Sequence, residues 1–150
     1  MDMIRTLYAV CLVVLASLTN PARAVDDAHV ALFKNVVGTM KVIRQDQSLD
    51  ATPGMTLFTA DRIVSGPGSS AGIVFKDGTL VTVGAASEIQ IRDYAFETKD
   101  AKFQFGMYLA KGSAIYSSGK IGKLAPESVK IDTPTTTVGV RGTRFIITAE

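Results

Sequence analysis

The chain has 150 residues, 47% hydrophobic and 20% charged, which is enough for one modest core and excludes both a disordered tail and a two-domain enzyme. Sixteen Lys and Arg against fourteen Asp and Glu give a formal charge of +2 with no concentrated basic patch, so a nucleic-acid partner is excluded. One His, one Cys and no Trp leave few of the side chains that carry acid-base, nucleophilic or metal chemistry.

Residues 1–24 read as a secretory signal peptide. Arg5 lies in a short leading region, a twelve-residue apolar stretch runs from Leu7 to Leu18, and Ala22-Arg23-Ala24 is a small-residue cleavage site. That stretch falls well short of the ~20 residues that cross a bilayer. An acylated lipoprotein cysteine would follow the apolar stretch, whereas Cys11 sits near its start. Cleavage after Ala24 removes Arg5, Arg23 and Asp2 and leaves 126 residues, with 14 basic against 13 acidic side chains and no cysteine to form a disulfide. No later run is apolar for long enough to be a retained transmembrane helix. The expected domain is residues 25–150, periplasmic or secreted.

From Val30 onward the hydrophobic period is two, not 3.6, and Gly, Pro and Asp punctuate it. Val36-Val37 precede a tight turn at Gly38, with Met40, Val42 and Arg44 beyond it; Asp46-Gln47 and Pro53-Gly54 mark further reversals. Residues 72–76 and 79–83 form the clearest hairpin. Asp77-Gly78 as its two-residue type I′ turn sets Phe75 opposite Leu80 and Val74 opposite Val81. In that register both faces carry apolar residues, so the hairpin is expected between two layers. Ile89 and Ile91, then Phe103, Phe105, Met107 and Leu109, alternate with polar residues. Ala114-Ile115-Tyr116 follows Gly112, a Ser/Gly/Lys-rich stretch to Leu124 has room for a turn of helix, and Pro126 closes it. Val129 with Ile131, and Phe145 to Thr148, complete an expected all-β single domain of about ten to twelve short strands: a sandwich, a jelly-roll-like fold or a rolled barrel. The last strand is expected to have a neighbour on each side.

No catalytic constellation assembles. His29 lacks a positioned partner, and Asp61, Asp77, Glu88, Asp93 and Asp132 have no spacing that imposes a shared site. The glycines of 112–122 match neither phosphate-cradling pattern. Strand propensity accounts for Thr135-Thr136-Thr137 without a ligand. The least ordinary segment is Gly139-Val140-Arg141-Gly142-Thr143, where glycine suggests a bulge or a close backbone approach and sets the direction of Arg141. Arg141 is expected to turn inward onto carbonyls or onto Asp61 or Asp77, the alternative being presentation to an acidic ligand. No catalytic residue, cofactor or metal site is expected. The site candidates are Gly139, Arg141, Gly142 and Thr143, with Asp77 and Gly78 at the hairpin turn.

Several strings in order resemble a FecR-family domain. They are Val37-Gly38; Pro53-Gly54 with Leu57; Asp61-Arg62-Ile63-Val64-Ser65-Gly66; Ser70-Ala71 with Phe75-Lys76-Asp77-Gly78-Thr79; Leu109 with Lys111-Gly112; Val129 to Pro134; and Val138 to Thr143 with Phe145. Together they span nearly the whole of 25–150. The resemblance implies an all-β periplasmic module. In the best-known members that module takes a signal from an outer-membrane TonB-dependent transducer and passes it through a membrane helix to a cytoplasmic sigma-factor regulator. The leading functional expectation is a non-enzymatic envelope module for signal sensing or protein interaction, docking through an exposed strand or the loops near Arg141. A binder of carbohydrate or surface polymer, with Tyr94, Tyr108 and Tyr116 as platforms, is the alternative.

Overall fold

The computed structural model describes residues 28–141 and 144–150; the leader with Cys11, and Gly142 and Thr143 of the candidate motif, lie outside them. Alternating β-branched and aromatic residues build twelve strands among the described residues: β1 (Ala31–Val37), β2 (Met40–Arg44), β3 (Gln47–Asp50), β4 (Thr56–Leu57), β5 (Arg62–Ser65), β6 (Ser70–Phe75), β7 (Leu80–Val83), β8 (Glu88–Glu97), β9 (Lys102–Ser117), β10 (Val129–Asp132), β11 (Thr137–Gly139) and β12 (Arg144–Ala149). One short helix, α1 (Lys120–Leu124), and a 3-10 turn at Pro126–Ser128 separate β9 from β10.

The all-β expectation holds, as a single curled, half-barrel sheet. Its path runs β3-β2-β5-β8-β9-β7-β6-β1-β4, with β10, β11 and β12 attached beside it. Strand β9 makes the curl. Its first part pairs with β8 and, on the other side, in parallel with β10; its last part pairs with β7 and β12. The segment that sequence divides at Gly112 is thus one 16-residue strand. Gly112 bends it with a φ of +88°, and a Cβ there would lie 2.5 Å from the Ser87 Cα, so only glycine lets β9 turn against that residue. The serine itself holds the corner: Ser113 N–H donates to Ser87 Oγ at 2.9 Å. The parallel β9–β10 pair is possible because α1 and the 3-10 turn supply the crossover that such pairs require.

Turn chemistry explains the other reversals. Gln45 and Asp46 both have positive φ between the paired Arg44 and Gln47, a type I′ turn displaced by one residue from the expected Asp46-Gln47. Gly54 has a φ of +84° and Met55 N–H donates to Thr52 O, a type II turn with Pro53 at its first corner.

The β6–β7 hairpin differs from its expected register. Val74 pairs with Leu80 and Ile73 with Val81, one residue out of step with a two-residue turn. The loop is Lys76-Asp77-Gly78: Gly78 N–H donates to Phe75 O and Phe75 N–H to Thr79 O, both at 2.9 Å. Only Gly78 is left-handed, with a φ of +86°. This is a type I turn followed by a glycine bulge. A one-residue shift moves every side chain to the other face. Ala71, Ile73, Phe75, Thr79, Val81 and Val83 are therefore buried together, while Leu80 and Thr82 are exposed. The hairpin has one core face and does not lie between layers. Its buried residues join one core with Ile63, Ile89, Ile91, Phe105, Met107, Leu109 and Tyr116.

Strand β12 is the other difference. It pairs only with β9, so among the described residues it is an edge instead of a strand with two neighbours.

Candidate functional site

Asp77 is more than a turn residue. It is fully buried, and its carboxylate accepts four hydrogen bonds. Oδ1 takes Tyr94 Oη–H at 3.1 Å and Thr79 N–H at 3.3 Å; Oδ2 takes Thr79 Oγ1–H at 2.7 Å and Ile121 N–H at 3.0 Å. Its own N–H donates back to Tyr94 Oη at 2.8 Å. The carboxylate thereby satisfies an orphan N–H at the start of α1, 44 residues away in sequence, while the Asp77 carbonyl takes Lys120 N–H at 2.9 Å. Gly119 permits this approach, because a Cβ there would meet Thr79 N at 2.2 Å and Gly78 C at 2.6 Å. The strings Phe75 to Thr79 and Gly119 to Leu124 form a single structural unit: a turn clamped onto a helix.

Asp61 is a second buried carboxylate with a local duty. Arg44 grips it in bidentate fashion, Nε at 2.9 Å and Nη2 at 2.6 Å, and spends a further Nη2 bond on Thr56 O at 2.9 Å. Phe58 N–H also donates to Asp61, and the guanidinium lies 4.5 Å from the Phe58 ring centre. The Asp61 hydrogen bond holds the Arg44 guanidinium above its ordinary pKa.

With both carboxylates occupied, Arg141 pairs with neither and is exposed, contrary to the inward pairing expected of it. Gly139 differs too. It ends β11 with open space where a Cβ would stand, so no close backbone approach demands glycine there. Val140 between them turns into the core. The pair therefore presents Arg141 at the rim of an open groove of about 460 Å³ between the 3-10 turn and the β10–β11 hairpin. Lys130 and Glu127 share the lining with Val129, Pro126 and Val140, so two cations and one anion surround an apolar floor. Arg141 makes no ion pair with any described residue. Sequence reading found Arg141 but missed Lys130, which the antiparallel β10–β11 pairing sets opposite Gly139, and Glu127, in the 3-10 turn just ahead of β10. Gly142 and Thr143 lie outside the described residues.

The tyrosines do not form sugar platforms. Tyr116 is fully buried, and the Tyr94 ring packs 5.4 Å from Phe75 with its hydroxyl on Asp77. The Arg92 guanidinium, itself bonded to Asp132, lies over Tyr108 at 4.1 Å from the ring centre. His29 is half-buried just before β1. No group of three or more His, Cys, Asp or Glu side chains among the described residues is placed to hold a metal ion.

The fold and this surface define a mostly-β domain whose buried carboxylates Asp61 and Asp77 are held by its own side chains and backbone, with an open mixed-charge groove at Arg141. The family follows from the sequence: the model described as FecR protein matches residues 61–150, and the chain belongs to the FecR family. The match begins at Asp61, so Val37-Gly38 and Pro53-Gly54 precede it. FecR domains are typically non-catalytic signalling or sensing domains with signalling partners. No curated protein matches the chain, and no solved structure does. No helix among the described residues is long and apolar enough to cross a membrane.

Proposed function

We propose that this protein is a non-enzymatic sensing and protein-interaction module of the bacterial cell envelope. In this reading residues 1–24 direct export and are removed near Ala24, and the domain works in the periplasm or outside the cell. It docks an envelope protein, of the kind an outer-membrane transducer represents, through the groove at Arg141. The observation that carries the reading is the contrast between polar groups. The buried carboxylates Asp61 and Asp77 are saturated by structural hydrogen bonds, while Arg141 and Lys130 line an open groove with an apolar floor. An exposed arginine that forms no ion pair with any described residue, beside apolar surface, is what a carboxylate-bearing protein partner uses as an anchor.

Mild crosslinking followed by pull-down from fractionated envelopes tests this. The wild-type chain should retain a defined envelope protein that Arg141→Glu loses, whereas a change at the exposed Lys123 of α1, Lys123→Glu, keeps it. A protein that captures nothing, or captures equally with Arg141→Glu, overturns the reading.

A further inference from the structure

The groove at Arg141 continues across the sheet. A second cavity of about 260 Å³ shares Glu127 and Lys130 with it and ends at Asp93. Ladder pairing sets one row across four strands: Asp93 of β8 opposite Gly106 of β9, Gly106 beside Lys130 of β10, and Lys130 opposite Gly139 of β11. Residues paired in this way project to one face of the sheet. It is the outer face, because Phe105, Met107, Val129 and Ile131, which alternate with the row, are buried. The Asp93 carboxylate lies over Gly106, its Oδ2 3.1 Å from where a Cβ would stand, so the acid leans across β9 into the trough. At Gly139 nothing stands within 4 Å of that position.

Charge gives the trough two ends. The Asp93 end holds two anions, Asp93 and Glu127, against Lys130; the Arg141 end holds two cations, Arg141 and Lys130, against Glu127. All four are exposed, and none forms an ion pair with a described residue. The neighbouring row differs: there Asp132 is already taken by Arg92 and by Thr137 Oγ1–H at 2.6 Å.

We propose that the docking partner lays an extended segment in this trough, with a basic side chain at Asp93 and Glu127 and an acidic one at Arg141 and Lys130. The inference rests on the docking reading above and adds to it the signs and spacing of the partner's charges. A segment bearing only carboxylates would meet Asp93 and Glu127 as like charges, and one bearing only amines would meet Arg141 and Lys130 so. Asp93 and Gly139 are three strand spacings apart, roughly 14 Å, and an extended chain advances about 3.3 Å per residue, so the two charges stand about four residues apart.

Titration of the full 150-residue chain with end-capped synthetic peptides, followed by amide NMR shifts, tests this. The probes are Lys-Ser-Val-Ser-Glu and the same peptide with Glu, or with Lys, at both ends. The mixed peptide should bind about tenfold more tightly than either of the others and shift the Gly106 and Gly139 amides. Asp93→Lys should transfer the preference to the Glu-ended peptide, and Arg141→Glu should transfer it to the Lys-ended one, an exchange that damage to the fold would not produce. If Asp93→Lys fails to fold, Asp93→Asn should bring the mixed and Glu-ended peptides within about threefold of each other. A wild-type chain that does not favour the mixed peptide overturns the proposal, and so does an order of preference that both variants leave unchanged. In the envelope pull-down, Asp93→Lys and Arg141→Glu should both lose the partner. Loss with Arg141→Glu alone overturns this proposal and leaves the docking reading standing, whereas retention by both variants overturns both.

Discussion

Replacing Asp77 by Asn keeps the shape of the side chain and removes half of what it accepts. The carboxylate takes four hydrogen bonds, two on each oxygen. Asn retains one carbonyl oxygen, which can stay with Tyr94 and Thr79 N–H. Its amide then faces Ile121 N–H, a donor against a donor, and Thr79 Oγ1–H must rotate away. Hydrogen bonds to charged groups contribute about 1.5–3 kcal/mol each, but relief from burying a charge offsets part of that loss. The net cost should be about 2–3 kcal/mol for Asp77→Asn and about 3–5 kcal/mol for Asp77→Ala, which abandons all four donors. At a few degrees per kcal/mol for a domain of this size, Asp77→Asn should melt roughly 6–15 °C lower. Urea unfolding at neutral pH measures the same quantity. Thr79→Val supplies the cross-check: in the double variant the two losses should not add, because each has already broken the Thr79 Oγ1–Asp77 bond. An Asp77→Asn protein within about 0.5 kcal/mol of wild type would refute the argument that this carboxylate clamps α1 to the hairpin.

Gly119→Ala should destabilise by about 3 kcal/mol in urea unfolding, because its Cβ would press on the backbone of Gly78 and Thr79 and neither can retreat without moving the hairpin. Asp61→Ala should cost about 2–3 kcal/mol, less than a fully buried pair because the Arg44 left behind keeps some contact with water, and Arg44→Met should cost more than Asp61→Ala because it strands a buried carboxylate; the reverse order in thermal melts would contradict the assigned bonds. Burial, and then the Asp77 charge, raise the Tyr94 phenol above its ordinary pKa of 10.0, so its contribution is complete below about pH 10 and is lost as pH climbs through the raised folded value. Tyr94→Phe should therefore be about 1–2 kcal/mol less stable at neutral pH yet lose less between about pH 9 and about pH 11 than wild type does, as urea midpoints would show.

Strand positions were legible because alternation at Ile89-Ile91 and Phe103 to Leu109 depends only on which side chains meet the core. The tight turns were legible where glycine or proline marked them, as at Gly38 and Pro53-Gly54. The β6–β7 register was not. Asp-Gly suits a two-residue turn by itself, and the extra loop residue is fixed by Asp77 reaching Ile121 and Tyr94, two partners remote in sequence. The same remoteness hides the fate of Arg141: Asp61 is held by Arg44 and Asp77 by the start of α1, partners that local sequence does not reveal. The groove needs the 3-10 turn and the β10–β11 register that sets Lys130 opposite Gly139, and no local pattern announces either. Gly119 was the one clue to the clamp available in sequence, a glycine in a short polar stretch ahead of an apolar pair, and it carried no direction.

The central claim is that the buried polar side chains serve the fold and that contact with a partner is made at the groove beside β10 and β11. A photo-reactive amino acid placed at position 141, and at exposed Thr82 on β7 as control, tests it directly in living cells. Illumination should give a discrete adduct with an envelope protein from position 141 and none from position 82. Adducts from position 82 alone, or from neither position while the protein is folded and abundant, would contradict it.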